Sequence, residues 1–190
     1  GDASPDDDLL APAITALERE ALLIRLIDEW GVAYPDEPLS REIAGSPSQA
    51  ISLAESLSEL VDIFETEEAD LQKLSDLFAA DLAEHRNAIL GFLAIIRERL
   101  PAELTRLRLL GPMERRSHLL RLEARRLAEL RPEGPIIAAG STGSIPAAAE
   151  LLKVIAALPN GAVVLPALDQ TMDEESWQHV GPQHPQFGLK

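Results

Sequence analysis

The sequence predicts a mostly α-helical chain with a small α/β part, in which a helical domain over residues 15–134 precedes one βαβ unit over residues 135–169. Aromatic residues make up only 4% of the chain, so leucine, isoleucine, valine and alanine must form the core, which suits helices. Two short apolar runs, Ile136 to Ala139 and Ala162 to Leu165, flank a helix-like segment. Because neither run alternates apolar and polar residues, we expect parallel strands buried on both faces, within a larger α/β core.

Composition limits the class of protein. The chain has 190 residues and 46% hydrophobic content, enough for one or two packed domains. The absence of cysteine excludes disulfides, thiolate metal sites and cysteine nucleophiles. No apolar run is long enough for a membrane helix, and the first residues show no signal-peptide pattern, so we expect a cytoplasmic segment of a longer protein.

Charge is unevenly distributed along the chain. The net charge is −15, yet Gly1 to Leu90 holds 21 acidic and 5 basic residues, whereas Gly91 to Gly134 holds 6 acidic and 10 basic ones. The acidic helices are expected to repel nucleic acid, and the middle segment is expected to attract it.

The chain begins with an acidic lead or linker over residues 1–14. Thr15 and Glu18 form a capping-box pattern, which predicts the start of a helix that ends at Gly31. Two prolines between Val32 and Gly45 predict an irregular linker.

A second helix is predicted after Ser46, because Pro47 suits a first helical position and Gln49 completes a capping box. Polar and acidic side chains on its opposite face are expected to be solvated. The apolar stripe of this helix consists of Ala50, Leu53, Ala54, Leu57, Leu60, Val61 and Phe64.

Acidic residues cluster at Glu65, Glu67, Glu68 and Asp70. Carboxylates can gather a divalent cation, but their order fits no calcium-binding loop, so we interpret the cluster as a solvated helix end.

A short helix is predicted from Leu71 to Phe78, and a long one from Asp81 to Leu110. Pro101 is expected to kink or divide the long helix because it lacks an amide donor. Gly111 and Pro112 are expected to end it.

The segment Met113 to Arg131 interleaves arginines with leucines. One hypothesis is a strip that contacts DNA phosphates, each contact adding a salt-dependent contribution to affinity. The alternative is a solvated face neutralised by Glu114, Glu123 and Glu129. The candidate DNA-binding residues are Arg115, Arg116, Arg121, Arg125 and Arg126.

The turn Gly140 to Ser144 lies between strand and helix, where backbone N–H groups can hold phosphate. A P-loop requires Gly-Lys-Ser/Thr at the end of the turn, but Ile145 and Pro146 stand there. Nor does the turn match a nucleophile elbow, so we interpret it as a structural connection.

The polar tail over residues 170–190 is rich in proline and glycine. Its His179 and His184 could serve a metal or, with Ser141 or Ser144, a small serine hydrolase. No further nitrogen or sulfur ligand has suitable spacing, so no metal site and no catalytic residue is predicted.

Several motifs together resemble the AddB subunits of AddAB helicase-nucleases, in their alphaproteobacterial form. The motifs are AAGSTGSIPAAAELL and AVVLPALD in the βαβ unit, DEESW and HPQFGLK in the tail, and AITALERE and VDIFETEEADLQKLSDL in the helical part. The resemblance spans nearly the whole chain.

The resemblance implies an internal segment of the helicase-like N-terminal half of AddB, a subunit that helps to unwind and resect DNA ends in double-strand break repair by homologous recombination. Residues 15–134 then resemble the helical insertion of superfamily 1 helicases, and residues 135–169 an inactivated RecA-like core. Expected partners are the AddA subunit and double- and single-stranded DNA near the nucleoid, with neither a membrane nor a small-molecule substrate. No cofactor is expected in this segment, whereas the parent complex uses Mg²⁺, ATP through AddA and an iron-sulfur cluster in the AddB nuclease domain.

Motor chemistry requires an Asp-Glu pair at the end of the first strand. This strand ends in Ala138 and Ala139, while Asp169 and Gln170 remain near the second strand as degenerate motor positions. We therefore predict no ATPase activity in the segment, although the parent complex is an ATP-dependent enzyme. The predicted function is a non-catalytic scaffold that binds DNA, and the alternatives are a helical interaction module without a DNA role and the serine hydrolase.

Overall fold

A computed structural model of the chain describes residues 10–73, 86–166, 169, 171–181, 184 and 186–187. The described part is mostly helical, with a small two-stranded parallel sheet. The chain divides into two compact units, one up to Arg115 and the other from Arg116. None of the described helices is both long enough and apolar enough to cross a membrane.

Helices make up the first unit. In chain order they are α1 (Ala16–Ala33), α2 (Pro38–Gly45), α3 (Pro47–Glu67), a 3-10 turn (Leu71–Lys73), α4 (Arg86–Ala94), a π turn (Ile95–Arg99), α5 (Leu100–Leu107) and the first residues of α6 (Pro112–Leu130).

Helix α1 begins with the predicted capping box. The Glu18 N–H donates to Thr15 Oγ1 at 3.3 Å, and the Thr15 N–H donates to Glu18 Oε2 at 3.0 Å. The predicted end at Gly31 is wrong, because the helix continues to Ala33. Gly31 keeps a helical backbone, since the buried Trp30 before it anchors this turn and the Tyr34 N–H donates to the Trp30 carbonyl at 3.0 Å.

The predicted irregular linker after α1 is also wrong in its second half, which forms helix α2. Pro38 stands in the first turn of α2, where a helix needs no N–H from that position. Ile43 is buried in the core, so tertiary packing holds this short helix in place.

Helix α3 starts at Pro47 as predicted, although the Ser46 hydroxyl contacts Ser48 Oγ at 2.7 Å and caps no amide. Asp62, on the face expected to be solvated, instead pairs with the buried Arg19 of α1 at 2.6 and 2.9 Å. The stripe residues that are fully buried are Ala50, Ala54, Leu57 and Val61.

The predicted helix from Leu71 to Phe78 is described only up to Lys73, as a 3-10 turn, and the predicted start at Asp81 lies outside the described residues. The predicted division near Pro101 is present as the π turn that precedes α5. Helix α5 ends at Leu107 rather than at Leu110, because Leu110 leaves the helix to bond with the lead. The Ile14 N–H donates to the Leu110 carbonyl at 3.0 Å, and Ile14 is buried.

The core of the first unit is built from aliphatic side chains of these helices. Trp30 lies in it with its Nε1–H donating to the Ala88 carbonyl at 3.0 Å and its ring edge-on to Phe92 at 5.1 Å. The largest side chains that are fully buried are Leu23, Leu26, Ile27, Ile95, Ile96 and Leu100.

The second unit contains the rest of α6 and the βαβ unit, formed by β1 (Ile136–Ala139), α7 (Pro146–Ala157) and β2 (Gly161–Val164), followed by α8 (Glu174–Gln178). The strands are parallel as predicted, and β2 begins one residue earlier than expected.

Within the described chain only one face of the sheet is covered, and burial of the other face in a larger core stays a prediction. Ile136 and Val163 pack against a small core of Leu127, Ile155 and Leu158. On the other face Ile137 is 66% and Val164 is 55% exposed. A crossover on one side of a two-stranded sheet covers only that side.

Candidate functional site

The arginine-rich helix α6 begins against the end of α3. The Glu114 N–H donates to Glu65 Oε2 at 3.1 Å, and the Gly111 N–H donates to Glu114 Oε2 at 3.3 Å. A Cβ at position 111 would overlap the Glu65 carboxylate, so a side chain there would have to displace the end of the Glu65 side chain. Two protein carboxylates thus bond to amides at the start of α6, where an anion would otherwise bind.

Burial raises the pKa of the Glu65 carboxyl, and the Glu114 and Asp62 carboxylates raise it further. The Glu114 N–H and the Arg19 guanidinium lower it. The interpretation of Glu65 as part of a solvated helix end is therefore wrong.

The metal hypothesis for the acidic cluster gains no support from the geometry. Within the described part of the chain, no three His, Cys, Asp or Glu side chains are placed to hold a metal ion.

Three of the candidate arginines make contacts inside their own unit. Arg115 Nε donates to the Ala11 carbonyl at 3.2 Å. Arg121 pairs with Glu150 of α7 at 3.1 Å, and its side chain is 30% exposed. Arg126 pairs with Glu123 one turn earlier at 2.7 Å. Carboxylates therefore pair with the charges of Arg121 and Arg126, whereas Arg115 donates to a neutral carbonyl.

The ion pair between Glu123 and Arg126 on the surface of α6 shifts the pKa of both side chains. Hydrogen bonds from Arg126 lower the pKa of the Glu123 carboxyl, and those bonds raise the pKa of Arg126. This pair accounts for one of the three carboxylates, Glu114, Glu123 and Glu129, that the alternative interpretation names.

Arg125 differs from these residues. Its side chain is exposed on α6 and forms no ion pair or hydrogen bond with any residue that the structure describes. Arg116 is half-buried. Arg125 is therefore the candidate whose charge is most available to a phosphate.

The turn after β1 is shaped by two glycines in the left-handed region, Gly140 at φ +83° and Gly143 at φ +68°. The Gly143 N–H donates to Ser141 Oγ at 3.3 Å, and Thr142 Oγ1 donates to Ser144 Oγ at 3.4 Å. The hydroxyl groups of the turn thus bond within the turn itself.

Two of the four degenerate motor positions, Ala138 and Asp169, make local structural contacts. Ala138 packs against the core of the second unit, and Ala139 is exposed. Asp169 Oδ1 accepts from the Thr171 N–H at 2.9 Å and from Thr171 Oγ1 at 2.7 Å, which lowers the pKa of Asp169. Gln170 lies outside the described residues.

The serines and histidines of the hydrolase alternative are not joined. His179 Nδ1 lies 2.7 Å from the Glu175 carbonyl, and His184 Nδ1 accepts from the Gln186 N–H at 3.1 Å. In the part of the chain that the structure describes, no hydrogen bond joins Ser141 or Ser144 to His179 or His184. Among the residues that the structure describes, no histidine is thus oriented as a base toward Ser141 or Ser144.

Sequence reasoning missed two long-range carboxylate contacts of α6, Glu65 to its first turn and Glu150 to Arg121. Gly111 carries the one available signal, since a glycine next to Pro112 can mark a close approach of another group as well as a helix end.

Comparison of the chain with protein-family models, with curated proteins and with solved structures finds no match in any of the three. Function is therefore inferred from the residues of the chain itself.

Proposed function

We propose that the chain is a non-catalytic, AddB-like segment that serves as a scaffold in DNA-end processing and contacts the DNA backbone through α6. The observation that carries the proposal is the composition of its βαβ unit. Its first strand ends in Ala138 and Ala139, where a motor of RecA-like fold holds carboxylates for magnesium. On this proposal the segment turns over no ATP, and an AddA-like subunit supplies the motor.

The exposed sheet face supports the scaffold role. Ile137 and Val164 present apolar surface on the side opposite α7. Large parallel sheets are covered on both faces, so this surface suits the interior of a larger RecA-like core. The scaffold is proposed to act in the cytoplasm, close to nucleoid DNA.

The charge of α6 supports DNA contact. Residues 91–134 carry ten basic and six acidic residues in a chain that is otherwise strongly acidic. Exposed Arg125 lies on this helix, one turn after Arg121. A helix with available guanidinium groups binds phosphate without sequence preference.

The test is binding of the full chain to a fluorescent blunt-ended DNA duplex, measured by anisotropy at several salt concentrations. We expect Arg125→Glu to weaken binding and to lower the slope of log K against log salt by about 1. Arg125 is preferred to Arg121 because reversal of Arg121 would also break its ion pair with Glu150.

The matched control is Arg41→Glu, which changes the net charge equally at an exposed position of α2. If Arg125→Glu binds as the unmodified chain does, or if Arg41→Glu weakens binding to the same extent, the assignment of DNA contact to α6 fails.

A second candidate function is a helical interaction module without a DNA role. The ion pairs of Arg121 and Arg126 inside the protein favour it, since they use charge that DNA binding would need. The same titration separates the two, because such a module shows no salt-dependent duplex binding.

A further inference from the structure

Helices α1 and α2 border an apolar groove that the DNA proposal does not use. It consists of two adjoining hollows, one of about 480 Å³ along α1 and one of about 350 Å³ between the end of α1 and α2. Asp28 and Val32 line both hollows, which makes the groove continuous. We call this surface, lined by Ala21, Ile24, Asp28, Val32, Pro35 and Ala44, the α1–α2 groove.

The apolar part of the α1–α2 groove follows one helical face. Ala21, Ile24 and Val32 stand three and then eight positions apart, so they lie along the same side of α1. Val32 is 82% exposed, although it lines a hollow. From Ala21 to Val32 the helix rises about 17 Å, the length of about three turns of a second helix. This geometry suits a partner that is itself helical.

The charge of the α1–α2 groove indicates the charge of the partner helix that would bind it. Asp28 lies at its centre, is exposed and forms no ion pair with the residues that the structure describes. Arg25, at the edge of the first hollow, is neutralised by Glu29 at 3.0 Å and Glu103 at 3.1 Å. Arg41 lines only the far end.

The surroundings of the groove are acidic as well. Residues 16–45 contain seven acidic and three basic side chains. One of the basic side chains is Arg19, which is buried and paired with Asp62. A complementary ligand therefore carries positive charge.

We propose that the α1–α2 groove binds a basic amphipathic helix of a partner protein. The partner places apolar side chains at helical spacing against Ala21, Ile24 and Val32, and a lysine or arginine against Asp28. Phosphate-bearing ligands do not fit, since the lining is mostly apolar and the charge at its centre, Asp28, is negative. The proposal is independent of DNA contact by α6, which lies on other residues.

The test uses the full chain and a fluorescent synthetic peptide of about 15 residues, long enough for about four helical turns. The peptide carries leucines at helical spacing, lysines at the flanks and one lysine at the centre. A second peptide has the same composition with the leucine spacing scrambled. We expect the first peptide to bind and the scrambled one to bind at least about tenfold more weakly.

Two variants with matched controls locate the contact. Val32→Asp is expected to weaken peptide binding about tenfold, because an apolar contact is replaced by a charge. Ile63→Asp, at a side chain that is 59% exposed on α3 outside the groove, is expected to leave binding unchanged.

Asp28→Lys is expected to weaken binding of the amphipathic peptide about tenfold. A peptide in which glutamate replaces the central lysine is expected to restore binding to this variant. Glu59→Lys on α3 is the control for net charge. The proposal is overturned if the amphipathic peptide does not bind, if the scrambled peptide binds equally, or if the control variants weaken binding as much as Val32→Asp and Asp28→Lys. The variants are at exposed positions, and circular dichroism verifies their folding.

Discussion

At the scale of single residues, the Glu65 carboxylate joins the end of α3 to the start of α6, beside Gly111. Glu65 accepts the Glu114 N–H and fills the space where a side chain at position 111 would lie. The sequence shows only an acidic cluster at a helix end, because the partner amide lies 49 positions away. Local patterns cannot reveal such a contact, which exists only after the helices pack.

Gly111→Ala is expected to destabilise the first unit by about 1 kcal/mol, since the new Cβ displaces the Glu65 carboxylate from its amide and one hydrogen bond is lost. Urea denaturation followed by Trp30 fluorescence in a Trp177→Phe background measures this. Gly31→Ala is the control: nothing lies within 4 Å of a Cβ there, and alanine inside α1 is expected to add about 0.5 to 1 kcal/mol. Equal effects of the two substitutions would contradict the proposed contact.

Glu65 also makes stability depend on pH. Burial raises its pKa in the folded chain, with Glu114 and Asp62 acting in the same direction and Arg19 opposing them. The folded state therefore binds a proton more readily than the unfolded state, and this group destabilises the fold at neutral pH.

Protonation of Glu65 removes this loss of stability as pH falls from the raised pKa toward the ordinary glutamate value of about 4.3. Glu65→Gln removes the charge and keeps an acceptor for the Glu114 N–H. We expect this variant to be at least as stable as the unmodified chain at pH 7, and any advantage to disappear by about pH 4.3. An advantage that grows on acidification would show the opposite sign of linkage.

At the scale of helices and strands, the contact between α1 and α3 depends on a charged pair beside the core. Arg19 is 6% exposed, and both of its terminal nitrogens bond to Asp62. The sequence predicted the apolar stripe of α3, because helical periodicity is a local property, but it assigned Asp62 to solvent. It missed α2 because Pro35 and Pro38 suggest a loop, whereas burial of Ile43 stabilises a helix there.

Asp62→Ala is expected to cost about 2 to 3 kcal/mol, since it leaves the buried Arg19 without its partner; the side chain of Asp62 is itself 34% exposed, which reduces the effect. The comparison is Arg106→Ala, which removes a surface partner of Glu103 and whose side chain is 65% exposed. We expect this second change to cost far less stability, because water and salt screen an exposed ion pair. Chemical denaturation of both variants in the same buffer measures their losses in free energy of unfolding. Equal losses would refute the structural role assigned to the Arg19–Asp62 pair.

At the scale of the whole molecule, the two units differ in how much apolar surface they bury. Among the described residues, the core of the first unit contains sixteen buried hydrophobic side chains, and that of the second contains three. The sequence predicted the order of helical part and βαβ unit, including the parallel strands, from local runs and turn residues. It could not predict that one sheet face is left exposed, because that depends on what covers the sheet.

We expect the second unit to unfold locally before the first. Amide hydrogen exchange by mass spectrometry should show protection in β1 and β2 at least about 100-fold lower than in α1 and α3. Ile155→Ala should increase exchange in the strands and leave α1 unchanged, because Ile155 belongs to the small core. Equal protection throughout would mean that both units unfold cooperatively as one.

The sheet of the second unit also affects how the chain behaves in solution. In the part of the chain that the structure describes, neither β1 nor β2 pairs with a third strand, so each has an open edge beside apolar Ile137 or Val164. Open edges of this kind are templates for aggregation. The net charge of −15 keeps copies apart by repulsion, and salt screens that repulsion over about 10 Å at 0.1 M. The chain is therefore expected to lose colloidal stability as ionic strength rises, and light scattering should accompany any salt titration of it.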